Sequence, residues 1–208
     1  MKTRNETRRE RYDHKLHSSK SYPISLVCIN FMHDGNLGYL IRSAGCFGVD
    51  CIHVIGSIPE RKILNPLSGS LYDYVQIKGY SSPRAFLDYA KANNIKLVSA
   101  EISENSESIN SYSFDFSSHV ALVVGQEECG VPVEILINSD VIHIPMPGVG
   151  YCLNTSQAAN IILYEAIKQY DAGVTQLVEF QPSKLTVAGS SPVSRSTLFG
   201  NSIYCPDS

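Results

Sequence analysis

Asn36, Arg42, Glu127 and Asn154 are polar residues set in or just after turns that follow apolar, strand-like runs. Arg42 lies among Leu40, Ile41, Ala44 and Phe47, nearly two turns into a helical pattern, so its stem is expected to be partly buried. A guanidinium held in that way needs an acceptor, either an internal carboxylate or a phosphate gripped through two nitrogens. Glu127 and Glu128 follow the uncharged run at 119–124 and are the natural internal partners; the plainer reading of either acid is a cap on the next helix. Asn36 has the side chain of a helix cap at the start of its own helix. Asn154, Thr155 and Ser156 can cap another, whose first amides are then free for an acceptor.

The turn before Asn154, Gly148-Val149-Gly150-Tyr151-Cys152-Leu153, follows the run Val141-Ile142-His143-Ile144-Pro145-Met146. Its proline cannot extend a central ladder, so the strand must stop there. Strand, glycine loop and helix start together describe a ligand site. The loop carries only Gly148-x-Gly150 and no lysine, and no Gly-x-Gly-x-x-Gly follows the first strand, which argues against a phosphate cradle. It suits an uncharged ring held by backbone hydrogen bonds, a description that adenine plus ribose would meet.

The elements that must position these residues alternate. Strands are expected at 25–30, 51–56, 95–100, 119–124 and 141–146, with a looser segment closing at 74–77. Helices are expected at 36–47, ended by Gly48, at 83–92 behind the cap Ser82-Pro83, at 131–138, and at 154–169. Such alternation predicts an α/β fold with a mostly parallel sheet flanked by helices. A basic arm over 1–22, one domain over 23–172 and a Ser/Pro-rich tail over 173–208 complete the reading.

Composition excludes several classes. With 43% hydrophobic residues in 208, the chain fits one domain plus tails, and no apolar run reaches membrane-spanning length. The first residues lead into charge rather than an apolar signal core. Six scattered cysteines without a CxxC pair point to a reduced, cytoplasmic protein without a metal site. Residues 1–20 hold seven Lys/Arg against three acids, a net +4, so the remainder carries −7 of the total −3. A basic arm on an acidic body suits an anionic polymer as well as it suits a solvated tail.

Asn36-x-Gly38-x-x-x-Arg42, Gly125-x-Glu127-x-x-Gly130, and Ile144-Pro145-Met146 followed by Cys152-Leu153-Asn154-Thr155-Ser156 resemble, in order and spacing, the three motifs of SpoU/TrmH-type RNA ribose 2′-O-methyltransferases of the SPOUT superfamily. The resemblance spans residues 23–170. It implies a deep C-terminal trefoil knot, an exception to the unknotted rule. It also implies a homodimer with active sites by the subunit interface, and S-adenosylmethionine held in the knot. By motif position, Ser99, Ala100, Gly125, Ile144, Met146, Cys152 and Leu153 would line the cofactor pocket, several through main-chain groups. Asn36, Arg42, Glu127 and Asn154 would form the polar centre. Two departures stand out. Cys152 replaces the usual serine, and His33-Asp34-Gly35 replaces the Asp-Pro that many relatives carry ahead of the asparagine.

For the reaction so implied, a guanidinium is far too basic to give up its proton readily near neutral pH, which makes a phosphate clamp a better role for Arg42 than a base. The substrate would be a structured RNA, with tRNA slightly preferred over rRNA because the short basic arm is the only expected extra RNA contact. The alternative is a non-catalytic RNA-binding member of the same fold acting as a partner subunit.

Overall fold

β1 (Tyr22–Ile29), β2 (Val49–Ile55), β3 (Gln76–Tyr80), β4 (Ile95–Ala100), β5 (Glu107–Ser108), β6 (His119–Val124) and β7 (Asp140–His143) form one sheet in the order β3-β2-β1-β6-β4-β7-β5. Every pairing in it is parallel. The computed structural model that gives this sheet describes residues 7–179. Residues up to Tyr170 make one unit, and residues 171–208 make a second.

β1 is an inner strand, with Leu26 beside Ile52 of β2 and Leu122 of β6. Side chains alternate across a strand, so Ile24, Leu26 and Cys28 share one face with Val120, Leu122 and Val124. Val27 and Ile29 share the other with Ala121 and Val123. The first face is covered by α2 (Asp34–Phe47), through Leu37, Leu40, Ile41 and Ala44, and by α6 (Thr155–Glu179), through Ala159, Ile162, Leu163 and Ala166. The second face receives Phe86 and Ala90 of α4 (Pro83–Ala92) and Ile135 of α5 (Val133–Leu136). Each of the large side chains among these contributes roughly 1.5–3 kcal/mol by leaving water.

The expected helix over 36–47 begins two residues early and ends at Gly48, whose φ of 71° is left-handed; a Cβ there would strike the Lys20 carbonyl oxygen. Ser82 caps α4 by accepting from the Ala85 amide at 3.2 Å, as its Ser-Pro start implies. The strand expected to reach Met146 stops at His143, before Pro145. The last helix runs to Glu179 rather than 169.

Two helices escaped the sequence reading. α1 (Arg8–Leu16) lies inside the segment read as a basic arm. Its start is a capping box, Thr7 accepting from the Glu10 amide at 3.3 Å while Glu10 accepts from the Thr7 amide at 2.7 Å. α3 (Arg61–Leu67) has one buried residue, Leu64, and carries Pro66, so neither periodicity nor propensity announced it. Residues 1–6 of the arm, the Ser/Pro-rich stretch from Pro182 and Cys205 lie outside the described residues.

Candidate active site

The carboxyl ends of β1, β4, β6 and β7 open into loops that carry the motif residues. Asn36 sits in the first turn of α2 and is 4% exposed. Its Nδ2 donates to Glu127 Oε1 at 2.5 Å, and its Oδ1 accepts from Asn154 Nδ2 at 3.0 Å. Glu127 Oε2 accepts the Met32 amide at 2.9 Å. Asn154 Oδ1 accepts the Ser156 amide at 3.0 Å and the Ser156 hydroxyl at 2.7 Å, which caps α6 as expected. An ionised carboxylate only accepts, so Glu127 at one end orients both amides in the chain.

Asn36 is not the helix cap the sequence suggested. His33 occupies that position, and the earlier start of α2 turns Asn36 inward to the neighbouring loops. Burial pushes the Glu127 carboxyl up, but hydrogen bonds from the amides of Met32, Glu127 itself and His33 and from the Asn36 side chain outweigh it, leaving the pKa below the usual carboxylate value.

Arg42 does not join this centre, and of the two acceptors open to it the internal one is not used: it makes no ion pair with Glu127 or Glu128. Six residues at about 100° each place it roughly a third of a turn around α2 from Asn36. It is exposed, its guanidinium packs near Gly69, and no hydrogen bond or ion pair holds it among the described residues. Alongside it, Tyr12 donates to the Gly69 carbonyl at 3.0 Å and Arg8 reaches the same oxygen at 3.5 Å. The α1 helix thus brings its basic run to the surface that carries Arg42.

A cavity of about 230 Å³ lies between the loops. Ala100, Gly125, Ile144, Met146, Cys152 and Leu153 line it, and Glu101, Ile142 and Thr155 join them. Ser99 does not: it is fully buried and its hydroxyl pairs with that of Ser139 at 2.8 Å. Gly125 is required by close approach, since a Cβ there would overlap the Gly130 carbonyl carbon and lie 2.5 Å from the Val131 nitrogen. Thr155 donates toward the Gly125 carbonyl at 3.5 Å, tying the first turn of α6 to this loop. Its lining combines the apolar Ile142, Ile144, Met146 and Leu153 with the acids Glu101, Glu127 and Glu128. That combination fits a ligand with a flat apolar ring at one end and positive charge at the other, as S-adenosylmethionine has. Glu101, which the sequence reading did not single out, left a signal as an acid directly after the apolar run 95–100.

Residues 23–164 match the model of the SpoU rRNA Methylase family. The tRNA (guanosine(18)-2′-O)-methyltransferase of Escherichia coli K12 is 27% identical over 183 residues, covering 84% of this chain and 79% of its own. The 23S rRNA (uridine(2479)-2′-O)-methyltransferase of Streptomyces viridochromogenes is 30% identical over 148 residues, covering 68% of this chain and 51% of its own. Among solved structures, the SpoU methyltransferase AviRb of Streptomyces viridochromogenes in complex with AdoMet superposes with a TM-score of 0.64 at 26% identity, over 72% of this chain and 61% of that one.

Proposed function

The chain belongs to the SpoU rRNA Methylase family, and from that premise we propose that it transfers a methyl group from S-adenosylmethionine to a ribose 2′-oxygen in structured RNA, tRNA ahead of rRNA. The observation that carries this reading is the hydrogen-bonded chain Glu127–Asn36–Asn154, whose Glu127 lines the same cavity as Gly125, Ile144, Met146 and Leu153. Bound S-adenosylmethionine supplies a methyl already activated on a positively charged sulfur. The protein's work is therefore to hold a ribose hydroxyl in line and to assist loss of its proton.

The Ile142, Ile144 and Leu153 side chains, which line the cavity, would hold the adenine. Asn36 and Asn154, oriented through ionised Glu127, place their amides at the reaction centre. Arg42 is exposed, without an internal acid, and so is available to grip the phosphate next to the target ribose in a two-nitrogen contact. Its proposed role is to clamp that phosphate and polarise the hydroxyl. Arg8 and the basic run of α1, docked at Gly69, extend the same positive surface along the RNA.

The tRNA preference is supported by the relative that covers 84% of this chain, named for tRNA, against 68% for the one named for rRNA. A homodimer is supported by Ile161 and Tyr164, which stand exposed on α6 and share a shallow apolar depression with Phe47 and Ile109. Five described cysteines are free, and free thiols suit the reducing cytoplasm proposed as its setting. The intact Asn36–Glu127–Asn154 chain speaks against a non-catalytic partner subunit. The test is transfer of labelled methyl to tRNA and rRNA transcripts, with mapping of the product.

A further inference from the structure

Glu101 follows β4 directly and lines the cavity, half-buried. Its Oε2 accepts the Val131 amide at 2.9 Å, and its Oε1 accepts the Ile102 amide at 3.1 Å. Gly130, at a φ of 67°, folds the β6 loop down onto this carboxylate, and a Cβ there would strike Oε2. A carboxylate offers about four lone-pair positions, so two remain after the backbone has taken its share.

Several other polar side chains of the cavity already carry bonds within the protein. Glu127 is held by Met32 and Asn36, and Gln126 Oε1 accepts the amides of Glu128 and Cys129. His143 Nδ1 pairs with the Ser106 hydroxyl, and Thr155 points at Gly125. Glu128 is exposed. An acid at the carboxyl end of a parallel strand, with acceptor capacity left over, matches the two adjacent donors of a ribose diol.

We propose that Glu101 is the ribose-binding residue of the cofactor cleft, accepting hydrogen bonds from the hydroxyls of the adenosine moiety. The proposal rests on the cofactor assignment above and goes beyond it by naming the group that reads the sugar. Backbone anchoring of both oxygens prepays the ordering of the side chain, so the contact costs little on binding.

Calorimetry tests this with S-adenosylhomocysteine, 5′-methylthioadenosine, and 5′-methylthio-2′,3′-dideoxyadenosine, using the wild type and Glu101→Gln. The wild type should bind the dideoxy compound at least about tenfold more weakly than 5′-methylthioadenosine, the worth of hydrogen bonds to a charged acceptor. Glu101→Gln should lose about that factor for both ribose-bearing ligands and almost none for the dideoxy compound. Equal wild-type affinity for the two methylthio compounds overturns the proposal whatever the variant does. Equal loss on all three ligands overturns it in favour of loop positioning through Val131. Loss confined to S-adenosylhomocysteine overturns it in favour of a contact to the amino-acid ammonium. A wild type that binds no S-adenosylhomocysteine overturns the cofactor assignment itself.

Discussion

Asn36 Nδ2 and Glu127 Oε1 stand 2.5 Å apart, joining the first turn of α2 to the loop after β6. The two residues are 91 positions apart in the chain but follow adjacent strands, β1 and β6. The sheet order therefore makes the site: it places the ends of these strands side by side.

Asn36→Ala and Glu127→Ala should each reduce methyl transfer by two orders of magnitude or more, and the double variant should be little worse than either single one, because both residues act through one chain of bonds. Each single change also leaves a part-buried polar group unpaired, at about 1–3 kcal/mol of stability. Additive losses in turnover would show that the pair does not work as a unit.

Arg42→Ala and Arg42→Lys should both abolish transfer while leaving S-adenosylhomocysteine affinity at the wild-type value. A lysine keeps the charge but loses the two-nitrogen grip. Substantial turnover by Arg42→Ala would sink the clamp assignment.

Deleting residues 1–20 should weaken RNA binding and flatten its salt dependence, since each lost phosphate contact lowers the log–log slope by about one. Cofactor affinity should not move. An unchanged salt slope would remove α1 from the RNA surface.

Gly125→Ala should cost stability and cofactor binding together. The added Cβ meets the Gly130–Val131 peptide, with the carbonyl oxygen 2.6 Å away, and overpacking of this kind costs about 1–3 kcal/mol. A variant with normal melting temperature and normal S-adenosylhomocysteine affinity would show that the loop yields freely.

His53 provides a pH prediction away from the site. It is 2% exposed, its Nδ1 lies 2.9 Å from the Tyr80 hydroxyl, and burial with Lys78 and His119 nearby lowers its pKa from 6.5 to about 4. Above pH 6.5 both folded and unfolded states hold it neutral, so it adds no pH dependence there. Between about 6.5 and 4 the unfolded state binds the extra proton, and stability falls by about 1.36 kcal/mol per unit, about 3 kcal/mol in all. His119 is shifted in the same direction and adds to the slope. Urea titrations at pH 7.5 and 4.5 should show the loss, and His53→Gln should remove most of it; identical slopes in the two proteins would contradict this account.

The sheet and its main helices were legible because Leu26, Val27, Leu122 and Val123 lie in apolar runs and the α2 and α4 boundaries carry Gly48 and Ser82-Pro83. Gly125, Ile144, Met146 and Leu153, which line the cavity, were marked only by the resemblance of their motifs to those of a known family. Three features were not legible. Arg42 looked buried because its neighbours are apolar, yet helical rotation from Asn36 turns it outward. Ser99 sits beside Ala100 but points to the opposite side of β4, where Ser139 takes its hydroxyl. The α1 helix was hidden by charge, although Thr7 and Glu10 spell its capping box.

The most direct measurement is transfer of tritiated methyl from S-adenosylmethionine to tRNA and rRNA transcripts, followed by alkaline hydrolysis and nuclease mapping. A ribose methylated at its 2′-oxygen cannot be cleaved by alkali at that linkage. The account predicts label in one alkali-stable dinucleotide, from tRNA, lost in the Arg42→Ala protein. Label in alkali-labile mononucleotides, or no transfer to any RNA by a protein that binds S-adenosylhomocysteine, would contradict it.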